Sequence, residues 1–307
     1  MVQRTLTKDA VLTDGLGKKY RSFWALKDCN ITVPRGSVSA LVGPNGAGKT
    51  TLLKLLISLS RPSAGSCQVL GKNPEQTEDF LAEVGYLAQE IPLYKQFNAG
   101  DHVAMGAHLN RHYDAELATK RLEDLGIPFD RPVGKLSGGQ RAQVALALAL
   151  AKKPKLLLLD EPVAALDPLA RIDFLKSLAK AVADAEGDLT VVMSSHLLAD
   201  LERVCDHLII LASGETQLCD DIDNVLKSHK VLVGPKRETA EAEQNYTVIQ
   251  ETHAPRQSTL LVCLNDGQKI HGSYWQVHDA DIEEIVLAYM GKSKLKAADK
   301  TAKGGKQ

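Results

Sequence analysis

Residues 43–50 read Gly43-Pro44-Asn45-Gly46-Ala47-Gly48-Lys49-Thr50, between an apolar run at 38–42 and a helical pattern at 51–59. The stretch fits G-x-x-x-x-G-K-[ST], in which glycines let several backbone N–H groups point into one concavity. The helix that follows adds its positive N-terminal end, while Lys49 supplies a point charge for the terminal phosphates and Thr50 a hydroxyl for Mg²⁺. The sequence therefore predicts a strand–loop–helix unit that binds the phosphates of a nucleotide.

Apolar runs of strand length alternate with helical patterns through residues 1–220. The runs are continuous, as expected for parallel strands that are buried on both faces. They predict strands at 38–42, 155–159, 189–193 and 207–211. This order indicates an α/β fold with a mostly parallel sheet covered by helices.

A helix-rich insert interrupts these strands over roughly 92–135. Asp114 is a candidate N-cap for a helix in this insert, and Ala118, Leu122 and Leu125 would share its apolar face. Gly126 and Pro128 supply the stop signal. After residue 220 the pattern changes, with strand-like pieces at 230–233, 246–250 and 259–264 and a helical pattern at 279–290. We therefore predict a nucleotide-binding domain at 1–225 with a helical subdomain at roughly 92–153, a small α+β appendage at 226–291, and a disordered lysine-rich tail at 292–307.

Two adjacent carboxylates, Asp160 and Glu161, end the apolar run 156–159. A buried strand that ends in two acids is costly unless a cation compensates, and ligands gather at the carboxyl ends of parallel strands. Because side chains alternate along a strand, the two acids have different roles. Asp160 fits a direct or second-sphere contact to Mg²⁺, and Glu161 fits a general base for the attacking water. The competing interpretation is that both acids only cap the following helix.

Three further features end strands or begin helices. Gln89 and His196 each follow a strand-like run, where such residues taken alone are more often surface or structural residues. Residues 136–141, Leu-Ser-Gly-Gly-Gln-Arg, precede a helical run at 142–153 and predict a second anion-binding helix end. One domain rarely needs two γ-phosphate cradles, so two copies arranged head to tail would each lend this helix end to the other's ATP.

In this order the motifs resemble the ABC transporter ATPase family over roughly residues 5–225. The matching features are Tyr20, GPNGAGKTT at 43–51, Gln89, LSGGQ at 136–140, LLLLDEP at 156–162, Ala165-Leu166-Asp167 and His196. Ala164 departs from the family, which often has Ser or Thr at that position. The region after residue 220 is similar to C-terminal extensions of bacterial ABC-2-type exporter ATPases.

The resemblance implies a P-loop NTPase fold with a mostly parallel core sheet, an antiparallel β part near the N-terminus, a helical subdomain insert and a small C-terminal α+β appendage. It also implies ATP and Mg²⁺ as cofactors. Tyr20 would stack on adenine, with Phe23 and Trp24 as nearby alternatives. The residues implied to bind nucleotide are Gly43, Pro44, Asn45, Gly46, Ala47, Gly48, Lys49, Thr50 and Thr51, together with Ser137, Gly138, Gly139, Gln140 and Asp167 across the dimer.

The resemblance implies Thr50, Gln89 and Asp160 as metal contacts and Glu161, His196 and Gln89 as catalytic residues. His196 would hold the γ-phosphate and the attacking water, and Gln89 would pass the signal to a membrane partner. The surface that receives the partner's coupling helix is expected in the insert, at Tyr94, Phe97 and Val103.

The charge balance, the apolar runs and the cysteine spacing indicate which partners and which cellular location to expect. Lys plus Arg is 37 against 38 for Asp plus Glu, so we expect no nucleic-acid partner. The longest apolar run, 144–151, is short of the roughly 20 residues of a membrane span, and the N-terminus lacks the apolar segment of a signal peptide. The five cysteines lie far apart, as in a reduced cytosolic protein. We expect a peripheral protein on the cytoplasmic face of the cell membrane.

The prediction from sequence is therefore an ATPase subunit that dimerises on ATP and drives export through transmembrane permease subunits on a separate chain. The alternative is a soluble ABC-type ATPase that acts on a partner other than a transporter. A single phosphate loop and the lack of a heptad stretch favour the transporter.

Overall fold

The computed structural model describes residues 8–196, 204–235, 242, 244–265, 267–270 and 274–292. Its strands are β1 Asp9–Tyr20, β2 Phe23–Cys29, β3 Thr32–Pro34, β4 Val38–Val42, β5 Ala64–Val69, β6 Val84–Leu87, β7 Leu156–Asp160, β8 Thr190–Ser195, β9 His207–Ala212, β10 Glu215–Asp221, β11 His229–Pro235, β12 Thr247–His253, β13 Gln257–Cys263 and β14 Gln276–Asp279. Its helices are α1 Lys49–Leu56, α2 Glu78–Glu83, α3 Ala99–Leu109, α4 Ala115–Asp124, α5 Gly138–Ala151, α6 Pro168–Asp184, α7 Ile222–Ser228 and α8 at residues 282–292, with a 3-10 turn at Val133–Lys135.

The central sheet confirms the predicted mostly parallel core. Its six strands run in the order β10-β9-β4-β8-β7-β6, and only the edge pair of β10 with β9 is antiparallel. Every residue of β4, β7, β8 and β9 is buried, which explains why their sequences are continuously apolar rather than alternating. The carboxyl ends of β4, β6, β7 and β8 therefore meet at one edge of the sheet.

The antiparallel β part near the N-terminus is also confirmed. In this second sheet β1 pairs with β2, β3 and β5, each in antiparallel register. The sheet packs its apolar side onto the central sheet, because Leu16, Leu26 and Val33 share one buried cluster with Leu53 of α1 and Leu158 of β7. The phosphate loop is thereby held between two sheets.

The helical subdomain consists of α3, α4 and α5 around a small apolar cluster of their own. Asp114 is the N-cap of α4, as predicted, since its side chain accepts a hydrogen bond from the backbone N–H of Leu117 at 2.9 Å. Leu125, expected on the same face as Ala118 and Leu122, is the C-cap residue of α4 and is 40% exposed. One expectation here is wrong, because Val103 is buried in the cluster and only 6% exposed, so it offers almost no surface to a partner.

The C-terminal appendage has a third sheet of four antiparallel strands, in the order β12-β13-β11-β14, followed by α8. The predicted boundary between the main domain and the appendage, after residue 225, lies inside α7. Ile285 and Val286 of α8 are fully buried in the cluster that also contains Phe174 and Leu178 of α6. The appendage thus completes the core of the main domain on that side.

Lys292 is the last described residue of α8, and the rest of the predicted tail lies outside the described residues. Within the described residues, no helix has the length and apolar character needed to cross a membrane.

Candidate functional site

The loop between β4 and α1 has the backbone of a phosphate cradle. Gly46 and Gly48 have φ angles of +80° and +106°, which side chains other than glycine rarely adopt. At Gly43 a Cβ atom would lie 2.2 Å from the carbonyl oxygen of Leu211, so only glycine fits there. The glycines that the sequence motif contains are therefore required by the fold itself.

Lys49 begins α1 and is buried within this loop. Its Nζ donates to the carbonyl oxygen of Gly43 at 2.7 Å and lies 3.2 Å from Oε1 of Glu161. The side chain is only 6% exposed, so its charge is aimed at the concavity of the loop rather than at bulk solvent. A negative phosphate group that enters the loop meets this charge together with the positive end of α1.

Asp160, the last residue of β7, is fully buried and is held by hydroxyl groups. Its Oδ1 accepts from Oγ1 of Thr50 at 3.1 Å and from Oγ of Ser194 at 2.9 Å. Its Oδ2 lies 3.5 Å from the hydroxyl of Tyr86. Burial, and then the neighbouring Asp160 carboxylate, raises the pKa of Tyr86 to about 12, so this hydroxyl remains a proton donor at neutral pH.

Glu161 follows Asp160 and has a φ angle of +47°, in the left-handed region that glutamate rarely adopts. Its two carboxylate oxygens have different partners. Oε1 faces Lys49, and Oε2 lies 2.9 Å from Nδ1 of His196, which is 42% exposed. The backbone N–H of Glu161 donates to Oγ of Ser194 at 2.9 Å. The turn therefore places the two acids side by side but against different partners.

Ser194 and Tyr86 also contact the acids of the candidate site, although no sequence motif pointed to them. The register of β7 and β8 sets Ser194 opposite Asp160, and one hydroxyl bonds both Asp160 and the backbone of Glu161. Ser194 could have been suspected as a polar residue at the end of an apolar strand. Tyr86 lies within β6 and has no comparable signal, because its contact to Asp160 depends on the pairing of β6 with β7.

The glycine-rich motif at 137–140 forms a second, separate group. Ser137 is the N-cap of α5, and a capping box links it to Gln140, with hydrogen bonds of 3.1 and 3.0 Å. Ser137, Gly139 and Asp167 line a cleft of about 420 Å³, and Asp167 is itself the N-cap of α6. At Gly139 a Cβ would lie 2.7 Å from Cβ of Ala170, so glycine lets α5 and α6 begin close together.

Two residues expected at the site, Gln89 and Tyr20, are exposed. Gln89 is exposed, just after β6 ends at Leu87. Tyr20 ends β1 and is 47% exposed, opposite Phe23, which is more exposed still. Both rings are accessible for stacking, so geometry alone keeps both as candidates for an adenine contact.

The chain is similar in sequence and fold to known proteins. The profile of the family described as "ABC transporter" matches residues 26–164. The "Uncharacterized ABC transporter ATP-binding protein all4389" of Nostoc sp. is 34% identical, and the match covers 72% of this chain and 69% of that protein. The "Sulfate/thiosulfate import ATP-binding protein CysA" of Synechococcus elongatus is 36% identical. The match covers 66% of this chain and only 60% of that protein.

A solved structure is similar over most of its length. It is cbiO1 from Clostridium perfringens, described as part of the ABC transporter complex cbiONQ. Its TM-score with this chain is 0.63 at 25% sequence identity, and the match covers 77% of this chain and 95% of cbiO1.

Proposed function

The chain belongs to the ABC transporter family, and we propose that it is the ATP-hydrolysing subunit of a transporter, which dimerises around ATP and drives a separate membrane subunit. Cassettes of this family are ATPases coupled to transport. The observation that carries the proposal is the meeting of Lys49, Asp160 and Glu161 at the carboxyl edge of the parallel sheet, where such folds bind ligands.

In this proposal the charges around Glu161 change partners when ATP binds. Lys49 now neutralises Glu161 at 3.2 Å, and a γ-phosphate offers Lys49 a stronger anionic partner. Glu161 is then free to accept the proton of the attacking water, while His196 on its other side orients water and phosphate. Hydrolysis thus depends on Glu161, and nucleotide binding depends on Lys49.

The residues present fit a magnesium ion. Mg²⁺ prefers oxygen ligands and keeps one or two protein contacts besides substrate phosphates and water. Thr50 and Asp160 supply a hydroxyl and a carboxyl group that already lie 3.1 Å apart, and the donors to buried Asp160 in the described part of the chain are the hydroxyls of Thr50, Ser194 and Tyr86. Thr50 and Asp160 would hold the ion, with Gln89 as a further oxygen donor from the exposed loop. When bound, the ion would neutralise charge on the β- and γ-phosphates.

A second subunit is supported by the placement of the site residues in two groups, each on its own set of elements. Ser137 and Gly139 form a helix end that faces an open cleft with Asp167, and Lys49 and Glu161 belong to the other group. We propose that this helix end contacts the γ-phosphate bound to a second copy of the chain. Each ATP is then enclosed by Lys49 of one copy and Ser137 of the other.

The membrane partner is proposed to bind the exposed aromatic residues that follow Gln89. Tyr94 and Phe97 are 60% and 41% exposed, and their ring centroids lie 5.3 Å apart. An exposed aromatic pair of this kind suits the apolar end of a helix from a membrane protein. The chain would then lie at the cytoplasmic face of the membrane.

We propose export as the direction, on the resemblance of residues after 220 to extensions of ABC-2-type exporter ATPases. Sulfate and thiosulfate are useful probes, because the name of the Synechococcus relative assigns it their import. Cells with the wild-type chain or with Lys49→Ala are expected to take up labelled sulfate and thiosulfate equally. Uptake that requires Lys49 would show import instead.

The transporter assignment as a whole is tested by affinity purification from membranes in mild detergent. A membrane protein with several spans is expected to co-purify stoichiometrically and to raise the Mg²⁺-dependent phosphate release of the chain. Recovery of the chain with a soluble partner alone would favour the alternative, a soluble ATPase of this family.

A further inference from the structure

His102 in α3 is a buried histidine whose two ring nitrogens both bond the backbone of the preceding segment. Its Nδ1 lies 2.8 Å from the carbonyl oxygen of Asn98, and its Nε2 accepts from the backbone N–H of Tyr94 at 3.0 Å. The residue is 1% exposed. The ring therefore acts as donor at Nδ1 and acceptor at Nε2, and fixes both ends of residues 94–98.

The segment held in this way carries the exposed aromatic pair. The His102 ring lies 6.2 Å from the Tyr94 ring and 5.7 Å from the Phe97 ring, measured between centroids. The backbone N–H of Phe97 also donates to the carbonyl oxygen of Tyr94 at 2.9 Å, which closes a tight turn. The two exposed rings are thus presented on a rigid turn rather than on a loose loop.

The other side of the same segment bonds the residues that lead to Ser137. The backbone N–H groups of Val133 and Gly134 donate to the carbonyl oxygens of Phe97 and Lys95, at 2.8 and 2.9 Å. At Gly134 a Cβ would lie 2.8 Å from the oxygen of Lys95, so the two backbones are in close contact. The 3-10 turn that begins at Val133 ends directly before Leu136 and the N-cap residue Ser137.

We propose that His102 is a positioning residue that couples the aromatic pair Tyr94–Phe97 to Ser137, through segment 94–98 and the turn at 133–135. A partner seated on the two rings and an ATP seated at Ser137 then act on one hydrogen-bonded unit. This inference rests on the proposed function, since it assumes that nucleotide contacts Ser137 and that the rings receive the membrane partner. A role confined to core packing predicts no link between nucleotide and segment 94–98.

The test is hydrogen–deuterium exchange of the full chain with and without Mg²⁺ and a non-hydrolysable ATP analogue. In the wild-type chain the nucleotide is expected to slow exchange both at 132–141 and at 93–98. In His102→Phe, which keeps an aromatic ring but loses both bonds, protection should remain at 132–141 and disappear at 93–98. The amide of Tyr94 should exchange about tenfold faster, because it loses its acceptor.

The matched control is His108→Phe. His108 lies on the same helix and has a similar ring bond, 2.7 Å from Nδ1 to the carbonyl oxygen of Ala104, but it is exposed. It should behave as the wild type does. His102→Gln offers one donor and one acceptor, and should restore at least half of the nucleotide effect at 93–98. Protection at 93–98 that survives in His102→Phe but is lost in His102→Gln would mean that ring packing, not the two bonds, holds the segment.

The inference is overturned if nucleotide protects 132–141 but leaves 93–98 unchanged in the wild type, or if His102→Phe keeps protection at 93–98. Nucleotide affinity, measured on the same samples by calorimetry, separates this outcome from a failure of the proposed function. A chain that binds no nucleotide would remove the proposed function and, with it, this coupling.

Discussion

The Nδ1 atom of His196 lies 2.9 Å from Oε2 of Glu161, although the two residues are 35 positions apart in the chain. The contact forms because β7 and β8 are adjacent and parallel, so the residues that follow each strand meet at one edge. Glu161 adopts its unfavourable backbone angle there, at a cost of about 1–3 kcal/mol, offset by its bonds to His196, Lys49 and Ser194. Both carboxylate oxygens of Glu161 therefore have partners, and in the proposed function this carboxylate is the base for the attacking water.

Nucleotide binding should depend on the buried charge of Lys49. Lys49→Ala removes that charge and leaves Glu161 without its partner on Oε1, so ATP affinity should fall by about 100-fold. Lys54→Ala is the control, because Lys54 lies on the same helix with its side chain exposed. Titration calorimetry with Mg²⁺–ATP measures both variants. Wild-type affinity in Lys49→Ala would show that this loop is not the nucleotide site.

Ser194 should matter for catalysis, since it bonds both acids. Ser194→Ala leaves the buried Oδ1 of Asp160 and the N–H of Glu161 short of a partner, which costs about 1–3 kcal/mol of folding stability. We expect ATPase activity to fall about tenfold or more as Glu161 loses its position. Ser39→Ala removes another buried hydroxyl, in β4, that bonds Ser37 and His207. It should lower stability similarly while turnover per folded molecule stays normal. Equal turnover in the two variants would contradict the positioning of the acids by Ser194.

If each ATP binds in a composite site made of Lys49 from one copy and Ser137 from the other, mixed dimers should show it. Ser137→Arg should block ATP-driven dimerisation, because a bulky cation replaces the small hydroxyl at the end of α5. A dimer of one Ser137→Arg chain and one Lys49→Ala chain has one site with both defects and one site with neither. Partial ATPase activity should therefore return on mixing, if turnover at one site suffices.

The control for this experiment is Asp114→Arg, which removes another helix N-cap, in α4, at a cost of about 1 kcal/mol. It should leave dimerisation intact. Full ATPase activity of the Ser137→Arg protein on its own would eliminate the composite site.

The appendage should contribute to the stability of the main domain. Val286 on α8 is fully buried in the cluster shared with α6, whereas its neighbour Leu287 is 56% exposed. Val286→Ala should lower the free energy of unfolding of the whole chain by about 2 kcal/mol, and Leu287→Ala by less than about 0.5 kcal/mol. Urea unfolding followed by circular dichroism compares the two. An unchanged main transition in Val286→Ala would mean that the appendage folds apart from the ATPase core.

The sequence predicted the parts of the fold that local patterns control. The strand at 38–42 has the predicted bounds, because a buried parallel strand is a continuous apolar run. Helices α1 and α5 begin earlier than the periodic patterns at 51 and 142, at Lys49 and Gly138. The first residues of these helices, 49–50 in α1 and 138–141 in α5, are polar or glycine and so lie outside the apolar period.

Contacts between distant segments were less predictable. The sequence motifs predicted that Lys49, Asp160 and Glu161 lie together at one edge of the sheet. The contacts of Tyr86 and Ser194 with Asp160 depend on how β6, β7 and β8 pair, which no motif indicates. Apolar periodicity predicted the apolar face of the helix in the insert, but it does not predict how deeply each residue of that face is buried. The resemblance placed Val103 on the surface that receives a partner, whereas the fold buries it in the apolar cluster of the subdomain.

Glu161→Gln tests the central claim, that ATP binds at this edge of the sheet and is hydrolysed with Glu161 as the base. Glutamine keeps the size and most of the hydrogen bonding of glutamate but cannot take a proton from water. General-base catalysis is typically worth about 10²–10⁴ in rate, so phosphate release should fall by that factor. Light scattering coupled to size exclusion should show a persistent dimer of the variant in Mg²⁺–ATP and a monomer without nucleotide. Normal hydrolysis by Glu161→Gln, or failure to bind ATP, would contradict the account.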